Sequence, residues 1–234
     1  MRKPNRLYLK LLFIIGCILL LSSCFKNKNL IEGDAKIRFF NNVIGSSPQI
    51  FSINGSLTTD GNNAYVDKFG VRYGANTQYL IAPGNQTFKV FVKDVNANDP
   101  HTTGDLSVEI GKNYSVFYTK TNVNDSSLFV IKEDLTIDTA KTKLLFVNLG
   151  YTLKSRVVVR DSLKTFTKTL GYGEKSDYLF LNFAVKNKLY LNLVDSVGVV
   201  DSISASNFSK GKIFTILIDG TNIGKLKERL ISNN

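Results

Sequence analysis

Apolar and polar positions alternate along most of this chain in short runs, and Gly, Asn, Asp and Ser break the runs apart. Ile37 and Phe39 alternate with Lys36 and Arg38, and Tyr114, Val116 and Tyr118 with Ser115 and Thr119. Leu189, Leu191 and Leu193 form a third stripe, and Phe214, Ile216 and Ile218 a fourth. A period of two, filled by β-branched and aromatic side chains, is the mark of a half-buried strand. Helical spacing is confined to the last stretch, Lys225 to Ile231. The pattern predicts an all-β protein.

The chain also resembles itself. Lys36-Ile37-Arg38-Phe39-Phe40-Asn41 returns as Lys143-Leu144-Leu145-Phe146-Val147-Asn148. Tyr73-Gly74 through Tyr79-Leu80 returns as Tyr172-Gly173 through Tyr178-Leu179. Phe88, Val90, Val92 and Asp94 match Leu189, Leu191, Leu193 and Asp195, and Gly111-Lys112 before Tyr114 matches Gly211-Lys212 before Phe214. Four matches in one order describe a tandem duplication. Each copy has the size and rhythm of an immunoglobulin-like β-sandwich of seven or eight strands, with a closed barrel as the competing solution. We divide the chain into a signal segment, 1–23, a tether, 24–34, a first sandwich, 35–137, and a second, diverged one, 138–234. The joint near Thr136 to Thr142 is short, so the sandwiches are expected to touch, each with its own core.

The first residues break the β pattern. Arg2, Lys3, Arg6 and Lys10 precede an apolar run from Leu11 to Leu21, then Ser22, Ser23 and Cys24. As a helix the run covers roughly 16 Å, well short of a ~30 Å hydrocarbon core, which describes a secretory signal rather than a span. Leu21-Ser22-Ser23-Cys24 resembles the lipobox of bacterial lipoproteins, whose cysteine is acylated and becomes the mature N-terminus. That resemblance implies membrane attachment through lipid on Cys24, in the bacterial cell envelope and on the outer membrane. Basic Phe25-Lys26-Asn27-Lys28 leaves the periplasmic and surface faces both open. Two or more acyl chains hold firmly where one holds marginally.

Cysteine use agrees: Cys17 falls in the signal segment and Cys24 is the lipid site, so no disulfide is expected. The formal charge is +11, and without the four basic residues before Cys24 it is +7. The lysines are scattered rather than clustered, which argues against a nucleic-acid partner.

The repeated elements resemble bacterial domains of unknown function labelled DUF4397. The resemblance is carried by Ala35-Lys36-Ile37-Arg38-Phe39-Phe40-Asn41, by Phe51-Ser52-Ile53-Asn54-Gly55, by Tyr79 through Pro83-Gly84 to Val92, and by Lys132-Glu133-Asp134-Leu135. It covers roughly Asp34 to Asn234. The second copy departs from it, with Asp161-Ser162 for Asn-Gly and Phe183-Ala184 for Pro83-Gly84. The resemblance implies an exported sandwich, often lipid-anchored, and supplies no catalytic residues.

Candidate chemistry is sparse. His101 is the only histidine, and it sits in a turn-like Asp99-Pro100-His101-Thr102-Thr103, so catalytic triads and zinc sites lack parts. Asp94, Asn96, Asn98 and Asp105 occupy positions one, three, five and twelve of a calcium-loop spacing. Against calcium, Asp99 stands where Gly makes the bend, position twelve is Asp rather than Glu, and no helix flanks the loop. Tyr73, Tyr79, Tyr172 and Tyr178 form a possible ligand-facing edge, used once per repeat, or else pack and bond local backbone. No carboxylate pair stands out for glycan hydrolysis, although Asp105 and Asp201 are the residues such a reaction would need. The sequence predicts no cofactor. It points to a non-catalytic binding or structural module with a protein or glycan partner. The alternatives are a carboxylate-dependent glycan hydrolase and an envelope assembly or adhesion subunit.

Overall fold

The computed structural model describes residues 33–54, 56–57, 70–122, 125–181, 187–196 and 201–234. The signal segment, Cys24 and Phe183-Ala184 lie outside them. Among the described residues sixteen strands form, with one 3-10 turn at Ala205–Asn207, and no helix is long and apolar enough to cross a membrane.

The first repeat contributes β1 (Asp34–Asn41), β2 (Gln49–Ile53), β3 (Ser56–Leu57), β4 (Leu80–Pro83), β5 (Gln86–Asp94), β6 (Thr102–Val108), β7 (Asn113–Lys120) and β8 (Ser126–Glu133). The second contributes β9 (Thr142–Asn148), β10 (Val157–Asp161), β11 (Thr167–Leu170), β12 (Leu179–Leu181), β13 (Lys188–Leu193), β14 (Asp201–Ser204), β15 (Ile213–Gly220) and β16 (Leu226–Ser232). Sheet orders are β4-β1-β7-β8 and β3-β2-β5-β6 in the first repeat, then β12-β9-β15-β16 and β11-β10-β13-β14 in the second. The two halves share one topology, strand for strand. In each, the first strand runs parallel to the seventh, with Phe39 opposite Val116 and Phe146 opposite Ile216. This is the all-β, immunoglobulin-like sandwich class read from the sequence; the competing closed barrel does not form.

Each repeat fills its own core. Phe39, Phe51, Val90, Val92 and Leu106 pack inside the first, and Leu144, Phe146, Val159, Leu191 and Ile216 inside the second. A third apolar cluster lies between the repeats, where Phe40, Phe117 and Ile131 meet Leu145, Val147, Leu149 and Leu217. The Phe40 and Phe117 rings stack with centroids 4.5 Å apart. Two separate cores were expected; the third exists because β1 and β9 are buried on both faces. Every residue of β9 is buried, Thr142 to Asn148. A strand covered on both sides reads as a continuous apolar run, which is what Leu144-Leu145-Phe146-Val147 shows. Each fully buried side chain of that size contributes about 1.5–3 kcal/mol, so the seam packs as a core.

One further expectation shifts. In the stretch Lys225 to Ile231, read as helical spacing, Leu226 to Ile231 belong to strand β16, paired with β15 from Ser232 opposite Phe214 to Leu226 opposite Gly220. Seven ladder pairs outweigh a weak propensity. The Asp161-Ser162 turn is closed by its own carboxylate, which accepts from the Thr165 backbone at 2.6 Å and the Thr165 hydroxyl at 2.8 Å.

Both repeats point the same way. From the middle of β1 Arg38 reaches Ser232 and Asn233 at the end of β16; past the end of β1, Asn42 reaches Asp219 near the end of β15. We call the first of these the basal end and the second the distal end. Gly33 and Asn234 both lie at the basal end, Gly33 accepting from the Gly84 N–H and Asn234 from the Ile213 N–H.

Candidate functional site

The four tyrosines lie in the seam, and their hydroxyls are engaged there. Tyr73 donates to Asp219 Oδ2 of the other repeat at 2.9 Å. Tyr172, its counterpart, donates to the Lys120 carbonyl of the first repeat and lies 3.4 Å from Thr119 Oγ1. Thr119 and Asp219 are equivalent positions, so the contacts are reciprocal, as across a two-fold. Tyr79 donates to Glu133 Oε2 at 2.9 Å, and Tyr178 accepts from the Asp134 N–H at 3.1 Å. This corrects the ligand-edge reading: the Tyr73, Tyr172 and Tyr178 phenols fasten the repeats together, and the Tyr79 phenol is held by Glu133 within the first repeat.

Buried charge accompanies them. At the basal end Arg38 Nη2 contacts Glu133 Oε1 at 3.2 Å and Asn233 Oδ1 at 3.3 Å, and Ser115 donates to the same Glu133 oxygen. The guanidinium lies over the rings of Phe40 and Tyr79. Burial and the Glu133 charge push the Tyr79 phenol up to about 12, with Arg38 opposing. Nearby, the Lys143 ammonium lies over Tyr178 and pairs with Asp134. That bond, with the Thr136 N–H, lowers the Asp134 carboxyl to about 2. At the distal end Asp219 is fully buried and bonded by Tyr73, by Arg229 Nε at 3.1 Å and by Asn42 Nδ2 at 3.4 Å. Burial raises its carboxyl, against the pull of Arg229 and Tyr73. Arg38, Glu133, Asp219 and Arg229 escaped the sequence reading. Their signal was a charge at a position apolar or neutral in the other copy: Leu145 for Arg38, Thr119 for Asp219.

The calcium-like spacing does not close into a site. Asp94 ends β5 opposite Gln49, whereas Asp105 lies inside β6 opposite Lys89, five residues back along the hairpin. At ~3.3 Å per residue that separates the two carboxylates by roughly 17 Å, which no single ion bridges. Asp94 instead accepts from the Ser47 hydroxyl and from Gln49 Nε2 at 2.6 Å, and these bonds, the Ser47 one above all, lower its carboxyl against the opposing effect of burial. His101 completes the network, 2.8 Å from Gln49 Oε1 and 2.9 Å from Thr102 Oγ1.

Asp105 and Asp201 lie in different repeats. Asp201 hydrogen-bonds Glu228, and burial together with that neighbour raises the Glu228 carboxyl to about 7. Carboxyls in direct contact leave no room for the sugar and water that glycoside hydrolysis sets between them, ~5–9.5 Å apart. In the first repeat the equivalent positions are Gly104 and Leu128, and Leu128 packs on the Gly104 backbone where the sandwich edges meet. The second repeat has put two acids at that closure.

An open cavity of about 510 Å³ marks the distal end of the second repeat, lined by Thr152, Lys154, Ser155, Asp195, Asn222 and Ile223. Ser155 precedes Val157 by two residues as Gln49 precedes Phe51, and Val157 and Phe51 face Leu193 and Val92 at matching registers. The cavity therefore occupies the place that Gln49, Asp94 and His101 fill in the first repeat. Ser155 is too short to span it and accepts the Asp195 N–H at 3.2 Å. The Thr152 hydroxyl at its wall is buried and has no hydrogen-bond partner among the described residues. A second cavity of about 510 Å³ opens at the basal end beside Lys112, Lys132, Asp134 and Thr136.

No family model and no curated protein matches the chain, so the likeness to DUF4397 rests on the residues quoted for it. Among solved structures the chain overlaps a carbohydrate-binding module of family 26 from Eubacterium rectale Amy13K, solved in complex with maltoheptaose. The overlap covers 86% of this chain and 97% of that chain at 8% identity, with a TM-score of 0.26, and at that score it carries no argument about fold or ligand.

Proposed function

We propose that the protein is a lipid-anchored, non-catalytic binding module of the bacterial cell envelope, and that the distal loops of its second repeat take the partner. The observation that carries this reading is the distal cavity, open in one repeat and filled by side chains in the other. Hydroxyl, amide, ammonium and carboxylate groups line it beside the aliphatic Leu193 and Ile223, the mixture that a glycan or a polar peptide segment requires. The groups best suited to chemistry, Arg38 with Glu133 and Asp219 with Arg229, are spent on the seam. Anchoring rests on the lipobox-like Leu21-Ser22-Ser23-Cys24 and belongs to the same proposal.

The test is to rebuild the filled state. Ser155→Gln places in the second repeat the side chain that spans the gap in the first. Glycan arrays and affinity capture from envelope extracts are expected to show a ligand that Ser155→Gln abolishes while the melting temperature is kept. A blank array with no captured partner, or binding indifferent to Ser155→Gln, overturns the reading. Cys24→Ser is expected to abolish palmitate incorporation and to release the protein from membranes without detergent.

A further inference from the structure

Among the described residues nine large apolar side chains are exposed, and five of them lie at the basal end. Ile81 is two residues from the end of β4, and Phe180 is its equivalent on β12, each opposite the first turn-proximal lysine of the neighbouring strand, Lys36 or Lys143. Ile110 sits in the turn before β7, Ile137 in the joint between repeats, and Leu163 in the turn after β10. All five are between 45% and 59% exposed. Turns at strand ends are ordinarily polar, so so many exposed aliphatic and aromatic tips at one end call for a partner.

Cations surround them. Lys112, Lys141 and Lys164 are exposed in the same turns, Lys210 and Lys212 in the turn before β15, and the Lys141 ammonium lies 5.0 Å from the Phe180 ring centroid. Among the described residues the carboxylates of this end are Asp34, Glu109, Glu133, Asp134, Asp138 and Asp161; Glu133 and Asp161 are buried, the first on Arg38 and the second on the Thr165 N–H and hydroxyl. Glu109 is neutralised by Lys132 at 2.6 Å, Asp134 by Lys143, and Asp138 accepts the Ala140 N–H. The balance is positive.

We propose that this basal face rests on the surface of an anionic bilayer, its apolar tips in the headgroup layer and its lysines on the phosphates. The inference builds on the lipid anchor. Nine residues lead from Cys24 to Gly33, a reach of at most about 30 Å, and Gly33 enters at this same end. Apolar tips ringed by lysine match an interface that is greasy beneath and negative above. The distal cavity is then held away from the membrane, where a partner reaches it.

The chain has no Trp, so a single substitution reports its own surroundings. Full-length lipidated protein carrying Ile110→Trp, Phe180→Trp or Ile223→Trp is to be reconstituted on phosphatidylcholine–phosphatidylglycerol vesicles containing brominated acyl chains. Ile110→Trp and Phe180→Trp should shift to the blue and lose fluorescence, and Ile223→Trp at the distal end should keep the emission of a water-exposed indole. Adding Lys112→Glu and Lys212→Glu should restore most of the lost signal at Ile110→Trp, as should high salt. Protein that floats with the vesicles yet shows no quenching at Ile110 or Phe180, or equal quenching at Ile223, overturns the docked face and leaves the anchor standing. Protein that does not float at all overturns both.

Discussion

The Tyr73 hydroxyl in the first repeat and the Asp219 carboxylate in the second are joined across the seam at 2.9 Å, and Tyr172 returns the contact toward Thr119 and Lys120. The two are not equal in weight, because Asp219 carries charge in a fully buried setting while the acceptors of Tyr172 are neutral. Removing a donor from a buried charged group costs more than removing one from a neutral group. Tyr73→Phe is expected to lower stability by about 2 kcal/mol, and Tyr172→Phe by about 1 kcal/mol. Urea unfolding of both variants checks the order; equal losses would mean that Asp219 does not depend on the phenol.

Arg38 and Glu133 form a further charged contact at the seam, with side-chain exposures of 9% and 1%. Taking away one partner of a buried pair leaves an uncompensated charge, and Arg38→Leu should cost about 3–5 kcal/mol. The second repeat already holds the neutral solution at the same positions, with Leu145 for Arg38 and Asn233 for Glu133, and Asn233 Nδ2 donates to Thr215 Oγ1 at 2.9 Å. Arg38→Leu combined with Glu133→Asn should therefore recover most of the loss. A double variant as unstable as the single one would show that Arg38 acts through its other contacts, above all the Ser232 carbonyl and the Tyr79 ring.

These seam residues also show where the sequence was legible. Stripes such as Leu189, Leu191 and Leu193 have one buried face, and period two finds them directly. Repeat-to-repeat matches such as Gly111 with Gly211 find the shared topology. The seam was written too, but in a different script: Phe39-Phe40 and Leu144-Leu145-Phe146-Val147 are doubly apolar because both faces are covered. What local pattern cannot carry is pairing over long separations. Arg38 meets Asn233 across 195 positions, and Tyr73 meets Asp219 across 146. The distal cavity was equally hidden, since it arises from a shortening, Gln49 to Ser155, that shows only once the strand registers are aligned.

Glu228 makes stability depend on pH near neutrality. Its folded carboxyl is raised to about 7, above its ordinary value of 4.5, by burial and by the Asp201 neighbour. The folded state thus holds a proton that the unfolded state has released. Stability is highest below pH 4.5 on this account and falls as pH rises toward 7. Because the site is partly exposed, solvent screening reduces the effect to about 1 kcal/mol. Asp134, lowered to about 2, acts in another window: its contribution is present above 3.8 and is lost as pH falls toward 2. Glu228→Gln should flatten the decline between pH 4.5 and 7, and Glu228→Leu, the first repeat's choice at Leu128, should stabilise the protein above pH 7. Thermal melts across that range decide it, and an unchanged pH profile in Glu228→Gln would sink the assignment.

Calcium provides the sharpest test of the loop from Asp94 to Asp105. A calcium ion needs six to eight oxygens at 2.3–2.6 Å, about the length of one bond from a common point. Asp94 is already held by Ser47 and Gln49, and Asp105 faces away down the β5–β6 hairpin beside Lys89. Among the described residues no group of three or more His, Cys, Asp or Glu side chains comes together to hold a metal. Millimolar calcium is therefore expected to leave the melting temperature unchanged. A ligand at ten times its dissociation constant stabilises by about 1.4 kcal/mol, which in a domain of this size moves the midpoint by about 3 °C. A rise of that size, lost in Asp94→Asn, would mean that the hairpin reorganises around the ion and that Ser47 and Gln49 give up their hold on Asp94.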